Sequence, residues 1–205
     1  EVLRFLSLNG KVPSRYTAFE GYEDLKTFNV DFLLSIGGDG TMLEAAITVR
    51  DLEIPILGVN VGRLGFLAGV DKENRDHIFH ALKQGHYTLE TRSMLVLDSN
   101  YPLFEDSPFA LNDFTILKRD TSSMIAIHAY VNGDLLNTYW ADGLIVSTPT
   151  GSTGYSLSCG GPIVFPNSNI FIITPVAPHN LNVRPIVIPD TVVLSFEIEG
   201  RADNF

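Results

Sequence analysis

The sequence predicts an N-terminal Rossmann-like α/β domain followed by an all-β, antiparallel sandwich-like domain. In the first half, four of the five residues 32–36 are apolar, and this run ends in a glycine-rich turn followed by apolar residues at helical spacing. That is the pattern of a buried parallel strand that leads into a helix. Beyond residue 86, helical periodicity disappears and short β-rich runs follow, as in antiparallel sheets. We therefore expect two domains, residues 1–86 and 87–205.

Composition argues against several classes of partner. A formal net charge of −10 disfavours both a nucleic-acid backbone and an anionic membrane surface. No apolar run approaches the length of a membrane span and no signal-peptide pattern opens the chain, so the cytosol is the expected compartment. The single cysteine, Cys159, leaves no internal disulfide framework. Because the chain lacks an initial Met and stops directly after a strand-like run, we expect a partial domain with a truncated C-terminal end.

The first half contains two strand–turn units. A helical spacing of Tyr22, Leu25 and Phe28 precedes the first strand, and a helix follows its turn. Residues 54–60 read as a second buried strand that closes on another glycine-rich turn, and a further helix ends at Gly85. Two such units in succession indicate an α/β layer with a site at the carboxyl ends of its strands. Apolar residues near the start predict one more buried element, whose type their spacing does not fix.

The second half reads as a series of short strands. Asn132 and Gly133 lie between two of them, the residue pair typical of a tight hairpin with a type I′ turn. No repeat or low-complexity tract interrupts the series. The predicted strands cover residues 87–97, 109–117, 124–131, 135–140, 144–146, 170–174, 183–188 and 192–198.

The turn after the first strand, residues 37–41 (GGDGT), has the composition of a phosphate site. A strand, a tight glycine turn and a helix aim backbone N–H groups at an anion, and glycine lets a phosphate approach the backbone. Asp39 is unusual there, because a carboxylate repels a phosphate unless it binds a metal or takes a proton. The alternative is an ordinary turn in which Asp39 caps the helix. Asn60, at the next strand end, is either a site residue or a turn residue.

A second glycine-rich stretch, residues 142–162, combines hydroxyl groups and glycines with one aromatic ring. Its polar groups suit the base and sugar of a nucleotide, and Tyr155 offers a flat apolar face. The alternative is a buried structural loop. Asn112 and Asp113 lie within a predicted strand, where charge is disfavoured. The Asp113 carboxylate there either faces water or accepts hydrogen bonds from a ligand, for which ribose hydroxyls are natural donors.

Together these motifs resemble the NAD kinases. The resemblance rests on GGDGT at residues 37–41, GVN and GRLGFL at residues 58–60 and 62–67, the pair Asn112 and Asp113, and residues 142–162. The first motif also resembles the phosphate loop of diacylglycerol-type lipid kinases and phosphofructokinases, whereas the last is specific. The resemblance implies transfer of the γ-phosphoryl group of ATP, or of a polyphosphate phosphoryl group, to the 2′-hydroxyl of the adenosine ribose of NAD, which makes NADP. It also implies Mg²⁺ and a homodimer or homotetramer.

By resemblance, Asp39 would be the base that takes the proton of this hydroxyl. The remaining residues would bind the donor's phosphates or the dinucleotide: Gly37, Gly38, Gly40, Thr41, Asn60, Asn112, Asp113, Asp142, Thr150, Thr153, Gly154, Tyr155, Ser156, Ser158 and Ala177. Gly154 stands where many NAD kinases have Ala, and Asp113 where Glu is often found. The alternatives are a diacylglycerol-type lipid kinase, which would show a basic or apolar membrane patch, and an NAD-binding sensor in which Asp39 is idle.

Overall fold

The computed structural model describes residues 21–28, 30–62, 65–71, 75–101, 103–104, 107–119 and 123–200. The chain forms two units, Glu1–Leu89 and Glu90–Phe205. The apolar element predicted near the start lies outside the described residues. No helix among the residues described is long and apolar enough to cross a membrane.

The first unit has the predicted α/β order. Its three strands form a parallel sheet in chain order, with one helix before the first strand, one between the first and second strands and one after the third. The predicted helix before the first strand and the helix that ends at Gly85, whose φ is 69°, are both present. The elements are α1 (Tyr22–Thr27), β1 (Leu33–Gly37), α2 (Asp39–Val49), β2 (Ile56–Asn60), β3 (Val70–Asp71) and α3 (Arg75–Gln84).

The register of β1 and β2 brings their carboxyl ends together. Leu33 pairs with Ile56 at one end and Gly37 with Asn60 at the other. Leu33, Leu25 and Val49 form a buried cluster that packs α1 and α2 against the sheet. Burial of these apolar side chains, at about 1.5–3 kcal/mol each, fixes the frame from which the glycine-rich turn projects.

The second unit consists almost entirely of antiparallel strands. The hairpin turn predicted at Asn132 and Gly133 is confirmed as type I′, since φ is positive at both residues (51° and 91°). The strands are β4 (Leu95–Val96), β5 (Phe109–Ala110), β6 (Asp113–Leu117), β7 (Ile125–Val131), β8 (Asp134–Ala141), β9 (Gly143–Ser147), β10 (Ile170–Val176), β11 (Ile186–Pro189) and β12 (Leu194–Glu199).

Two of its sheets share one core. Their strand orders are β11-β10-β9-β6 and β12-β7-β8, and a two-stranded sheet pairs β4 with β5. Buried side chains from both larger sheets, among them Ile127, Tyr139, Leu144 and Ile173, belong to one apolar cluster. The predicted α/β-plus-antiparallel-β fold class is thus confirmed.

Three predicted strands are shorter than expected, among them the run at residues 183–188, which is a strand only from Ile186 onward. The run at residues 87–97 is a strand only at β4, because a β-prone sequence needs a neighbouring strand, and Tyr87 and Leu89 instead stay exposed. The run at residues 109–117 breaks at Leu111 and Asn112, where the Asn112 carbonyl turns to accept the N–H of Thr148.

Candidate active site

The GGDGT turn lies directly at the carboxyl end of β1. Gly38 is the N-cap of α2, and Asp39 is the first helical residue. A Cβ atom added at Gly38 or Gly40 would meet no atom of the described residues within 4 Å, so this side of the turn is open toward them. By contrast, a Cβ at Gly37 would overlap the Thr41 side chain. Since N–H groups of a first helical turn lack partners inside the helix, the open side suits an anion.

The Asp39 carboxylate is held by backbone groups of a distant segment. Its Oδ2 accepts the N–H of Phe66 at 2.8 Å, and its Oδ1 accepts the N–H groups of Leu67 at 3.0 Å and Ala68 at 3.2 Å. No side-chain capping bond is made at this helix start. The alternative that Asp39 merely caps its own helix is therefore wrong. Its carboxylate instead ties α2 to the chain after β2.

These hydrogen bonds set the charge state of Asp39. Partial burial raises the pKa of the carboxyl, but the N–H groups of Phe66, Leu67 and Ala68 outweigh it and leave the pKa below its ordinary value. Asp39 is therefore an anion at neutral pH, ready to accept a hydrogen bond. Protonation would weaken these bonds, so they contribute stability at pH above the ordinary carboxyl pKa, and this contribution is lost as pH falls through the lowered value.

Asn60 is buried at the end of β2, beside Gly37 in the register. Its Oδ1 accepts the N–H of Gly62 at 2.8 Å, and the N–H of Val61 donates to the Gly37 carbonyl at 3.3 Å. These are the contacts of a residue that shapes the second glycine-rich turn. Its role toward a ligand stays a prediction.

In the second unit, the stretch after β9 turns tightly onto the break between β5 and β6. A 3₁₀ turn (Thr150–Thr153) and a one-turn helix, α4 (Tyr155–Ser158), follow one another there. A Cβ atom at Gly151 would overlap the carbonyl, and approach the Cα, of Asn112. The glycine therefore permits a backbone contact that any side chain would block.

The hydroxyl groups of this stretch divide into buried and exposed ones. Thr150 is buried and accepts a hydrogen bond from the Arg92 guanidinium at 3.2 Å, and the Thr153 hydroxyl donates to the Thr150 carbonyl at 3.4 Å. Ser156 is fully buried, whereas Tyr155 and Ser158 are exposed on the short helix. A ligand can therefore reach only the exposed members of the predicted binding set unless the stretch rearranges.

Ser156 has the environment of a structural residue. Its Oγ is 2.8 Å from the Oγ1 of Thr174 on β10, with both groups buried. We expect Ser156→Ala to lower the free energy of unfolding by about 1–3 kcal/mol, because it leaves the Thr174 hydroxyl without its partner. Chemical denaturation would measure this, with Ser158→Ala as the exposed control from the same helix. Equal losses in the two variants would contradict the structural role.

Asp113 begins β6 next to this turn, and Asn112 directly precedes it. The Oδ1 of Asn112 is buried with no hydrogen-bond partner among the described residues. The same holds for the hydroxyl of Ser147, which lies on β9 opposite Asp113 of β6. Buried polar atoms normally have partners, so two unpaired atoms in neighbouring strands mark this turn as a candidate binding position. Asp113 accepts a bond from the Thr115 hydroxyl at 3.1 Å. Burial raises the pKa of this carboxyl more than that bond lowers it.

The raised pKa predicts that ionised Asp113 costs stability. The cost appears as pH rises through the ordinary carboxyl pKa to the raised value, and it is fully present above that value. We therefore expect Asp113→Asn to raise the Tm at neutral pH by a few degrees, with the difference from wild type shrinking on acidification. Calorimetry at several pH values would test this, with Asp134→Asn, an exposed residue, as the control. A variant Tm at or below that of wild type at pH 7 would refute the prediction.

Two cations beside the predicted residues were not indicated by the sequence. Lys118 Nζ lies 2.6 Å from Asp142 Oδ1, and Arg92 contacts Thr150 as described above. Because the chain has only 14 Lys and Arg residues against 24 acidic ones, the small number of cations was the one feature of the sequence that could have drawn attention to them. Ala177, the last predicted residue, is exposed with a φ of 45°.

Two family models match this chain, one within each of its two units. Residues 10–87 match the family model of the ATP-NAD kinase N-terminal domain, and residues 111–204 match that of the C-terminal domain. The NAD kinase of Cytophaga hutchinsonii is 55% identical over 95% of this chain and 66% of its own length. That of Flavobacterium psychrophilum is 50% identical over 96% of this chain and 67% of its own.

Two solved structures are similar to this chain in fold and in sequence. Yeast NADH kinase complexed with NADH has a TM-score of 0.72 at 30% identity, over 82% of this chain and 50% of that one. An NAD kinase from Archaeoglobus fulgidus in complex with ATP has a TM-score of 0.72 at 33% identity, over 88% of this chain and 69% of that one. The chain spans about two thirds of the length of the curated relatives it matches. On these matches, the chain belongs to the NAD kinase family.

Proposed function

We propose that the protein is an NAD kinase that transfers the γ-phosphoryl group of ATP to the 2′-hydroxyl of the adenosine ribose of NAD. In this proposal the α/β unit binds the phosphates of the donor and the β-rich unit binds NAD, with a boundary near residue 86. The observation that carries the proposal is the Asp39 carboxylate, held as an anion beside an open glycine-rich turn.

The hydrogen bonding of Asp39 suits a proton acceptor. A carboxylate has about four lone-pair sites. Of these, three accept the N–H groups of Phe66, Leu67 and Ala68, which leaves one site, on Oδ2, among the bonds of the described residues. A low pKa weakens a base, but in phosphoryl transfer the main need is to orient the attacking hydroxyl and accept its proton late. A fixed acceptor oxygen meets that need.

The β-rich unit offers complementary groups for NAD. The Oδ1 of Asn112 would accept from the amino group of adenine once a side-chain rotation exposes this buried atom, and Asp113 can accept from ribose hydroxyls. Exposed Tyr155 offers a ring face, and Asp142 is a second acceptor that Lys118 partly neutralises. These assignments rest on the chemistry of the side chains and on the family resemblance.

A magnesium ion fits the donor side. Among the described residues no group of three or more His, Cys, Asp and Glu side chains could hold a metal ion. Mg²⁺ usually keeps several waters and binds largely through substrate phosphates, so the donor's phosphates together with the Thr41 hydroxyl would hold it, and the free site of Asp39 stays with the attacking hydroxyl. When bound, Mg²⁺ neutralises charge on the transferring phosphoryl group.

We infer the oligomeric state, the compartment and the substrates of the protein from its relatives and its charge. Family resemblance supports a homodimer or homotetramer in the cytosol. The yeast and Archaeoglobus fulgidus structures are complexes with NADH and with ATP, respectively, which supports ATP and a nicotinamide dinucleotide as substrates here. Polyphosphate remains the alternative donor. The matches along both halves of the chain favour this reaction over a lipid kinase and over a sensor.

The direct test is NADP formation by the full-length protein with NAD, Mg²⁺ and either ATP or polyphosphate. We expect NADP with at least one of the two donors. We expect no phosphorylated lipid when diacylglycerol replaces NAD as the acceptor. NAD binding without product from either donor would support the sensor. Phosphorylation of diacylglycerol alone would support the lipid kinase.

A further inference from the structure

We propose that Gly65 is a positioning residue for Asp39: the backbone of residues 65–68 forms a cradle that fixes the carboxylate and directs the lone pair to which no described residue donates. The inference rests on the proposed function, in which Asp39 accepts the proton. It adds a residue and a backbone device to that reaction. Every residue of the cradle lies in the α/β unit.

The cradle has three donors and one close approach. The N–H groups of Phe66, Leu67 and Ala68 point at the Asp39 carboxylate from consecutive residues, as in backbone anion nests. Gly65, the residue before them, packs against the carboxylate so closely that an added Cβ would overlap its Cγ and both oxygens. The contact is therefore one that only glycine allows.

The requirement for glycine here is one of space. The φ of Gly65 lies outside the left-handed region, so its backbone conformation is open to other residues. Gly69, four residues on, is exposed and is also outside the left-handed region, and a Cβ atom added there would meet no atom within 4 Å in the part of the chain that the structure describes. Gly65→Ala and Gly69→Ala therefore make the same chemical change, and only Gly65→Ala places a methyl group against Asp39.

Displacement of the carboxylate should reduce turnover rather than substrate binding. A methyl group at residue 65 must push the carboxylate or the cradle aside, and a misplacement of about 1 Å in a reacting group costs about 10²-fold in rate. We expect Gly65→Ala to lower kcat by about 10–10²-fold, with the KM values for NAD and ATP little changed. Gly69→Ala should keep the wild-type kcat.

A double-mutant cycle tests whether Gly65 acts through Asp39. If it does, Gly65→Ala causes no further loss in an Asp39→Asn background, because the group that it displaces is already disabled. Multiplied losses in the double variant, or a wild-type kcat for Gly65→Ala, would overturn the proposal. If wild-type protein itself makes no NADP, the proposed function fails, and the cradle is then judged by hydrogen exchange alone.

Amide hydrogen exchange reads the cradle without catalysis. We expect the amides of Phe66, Leu67 and Ala68 to be protected in wild type and to exchange about tenfold faster or more in Asp39→Ala, which removes the acceptor. Gly65→Ala should show the same change, and Gly69→Ala should not. Unchanged exchange of all three amides in folded Asp39→Ala would overturn the cradle even if Gly65→Ala does not fold.

Discussion

Asp39→Asn is expected to lower the rate of NADP formation by about 10²–10⁴-fold, the usual loss on removal of a general base. The amide oxygen can still accept a hydrogen bond, but the amide nitrogen that replaces the second oxygen cannot. One of the N–H groups of Phe66, Leu67 and Ala68 therefore loses its acceptor. The variant thus removes the proton acceptor and weakens the cradle together.

A steady-state assay with saturating NAD and ATP would measure this loss. Asp31→Asn, an exposed residue that precedes β1, makes the same change of charge in the same unit and should leave the rate unchanged. Asp39→Glu keeps the charge but carries one more methylene, so it cannot keep all three N–H bonds and should restore little activity. Undiminished turnover in Asp39→Asn would exclude Asp39 as the base.

The parts of this fold that the sequence predicted are those fixed by neighbouring residues. The apolar run of β1, its glycine turn and the helical spacing of α2 lie within 17 residues of one another, from Leu33 to Val49. The Asn132–Gly133 turn depends on two residues whose φ is positive. In such segments local propensity and tertiary structure agree, so the pattern alone is informative.

What could not be predicted depends on contacts between distant residues. The partners of Asp39 lie 27–29 residues further along the chain, and no local pattern shows that a GGDGT carboxylate bonds them. The same applies to Ser156, which the family resemblance named as a binding residue but whose buried hydroxyl contacts that of Thr174, 18 residues away. A residue type at a motif position suggests a chemical role, whereas accessibility is decided by packing.

Gly151→Ala is expected to have the largest effect on the β-rich unit. Its methyl group would overlap the backbone of Asn112, which cannot move away like a flexible side chain. Overpacking of this kind costs about 1–3 kcal/mol or more in the free energy of unfolding. The contact also holds the 3₁₀ turn to the segment that carries the unpaired Asn112 oxygen. NAD binding should therefore fall together with stability.

Gly154→Ala is the graded comparison for this prediction. A Cβ there would lie 3.2 Å from the Gly151 carbonyl oxygen and 3.7 Å from Asp113 Oδ2, a tight contact without overlap. Gly→Ala also reduces the entropy of the unfolded chain, which stabilises a protein by about 0.4–1 kcal/mol, so a small net effect is expected. Denaturation and calorimetric titration with NAD would compare the two variants. If both lose stability and affinity equally, the contact with Asn112 is not what makes residue 151 special; if only Gly151→Ala loses them, the turn and Asn112 act as one unit in binding.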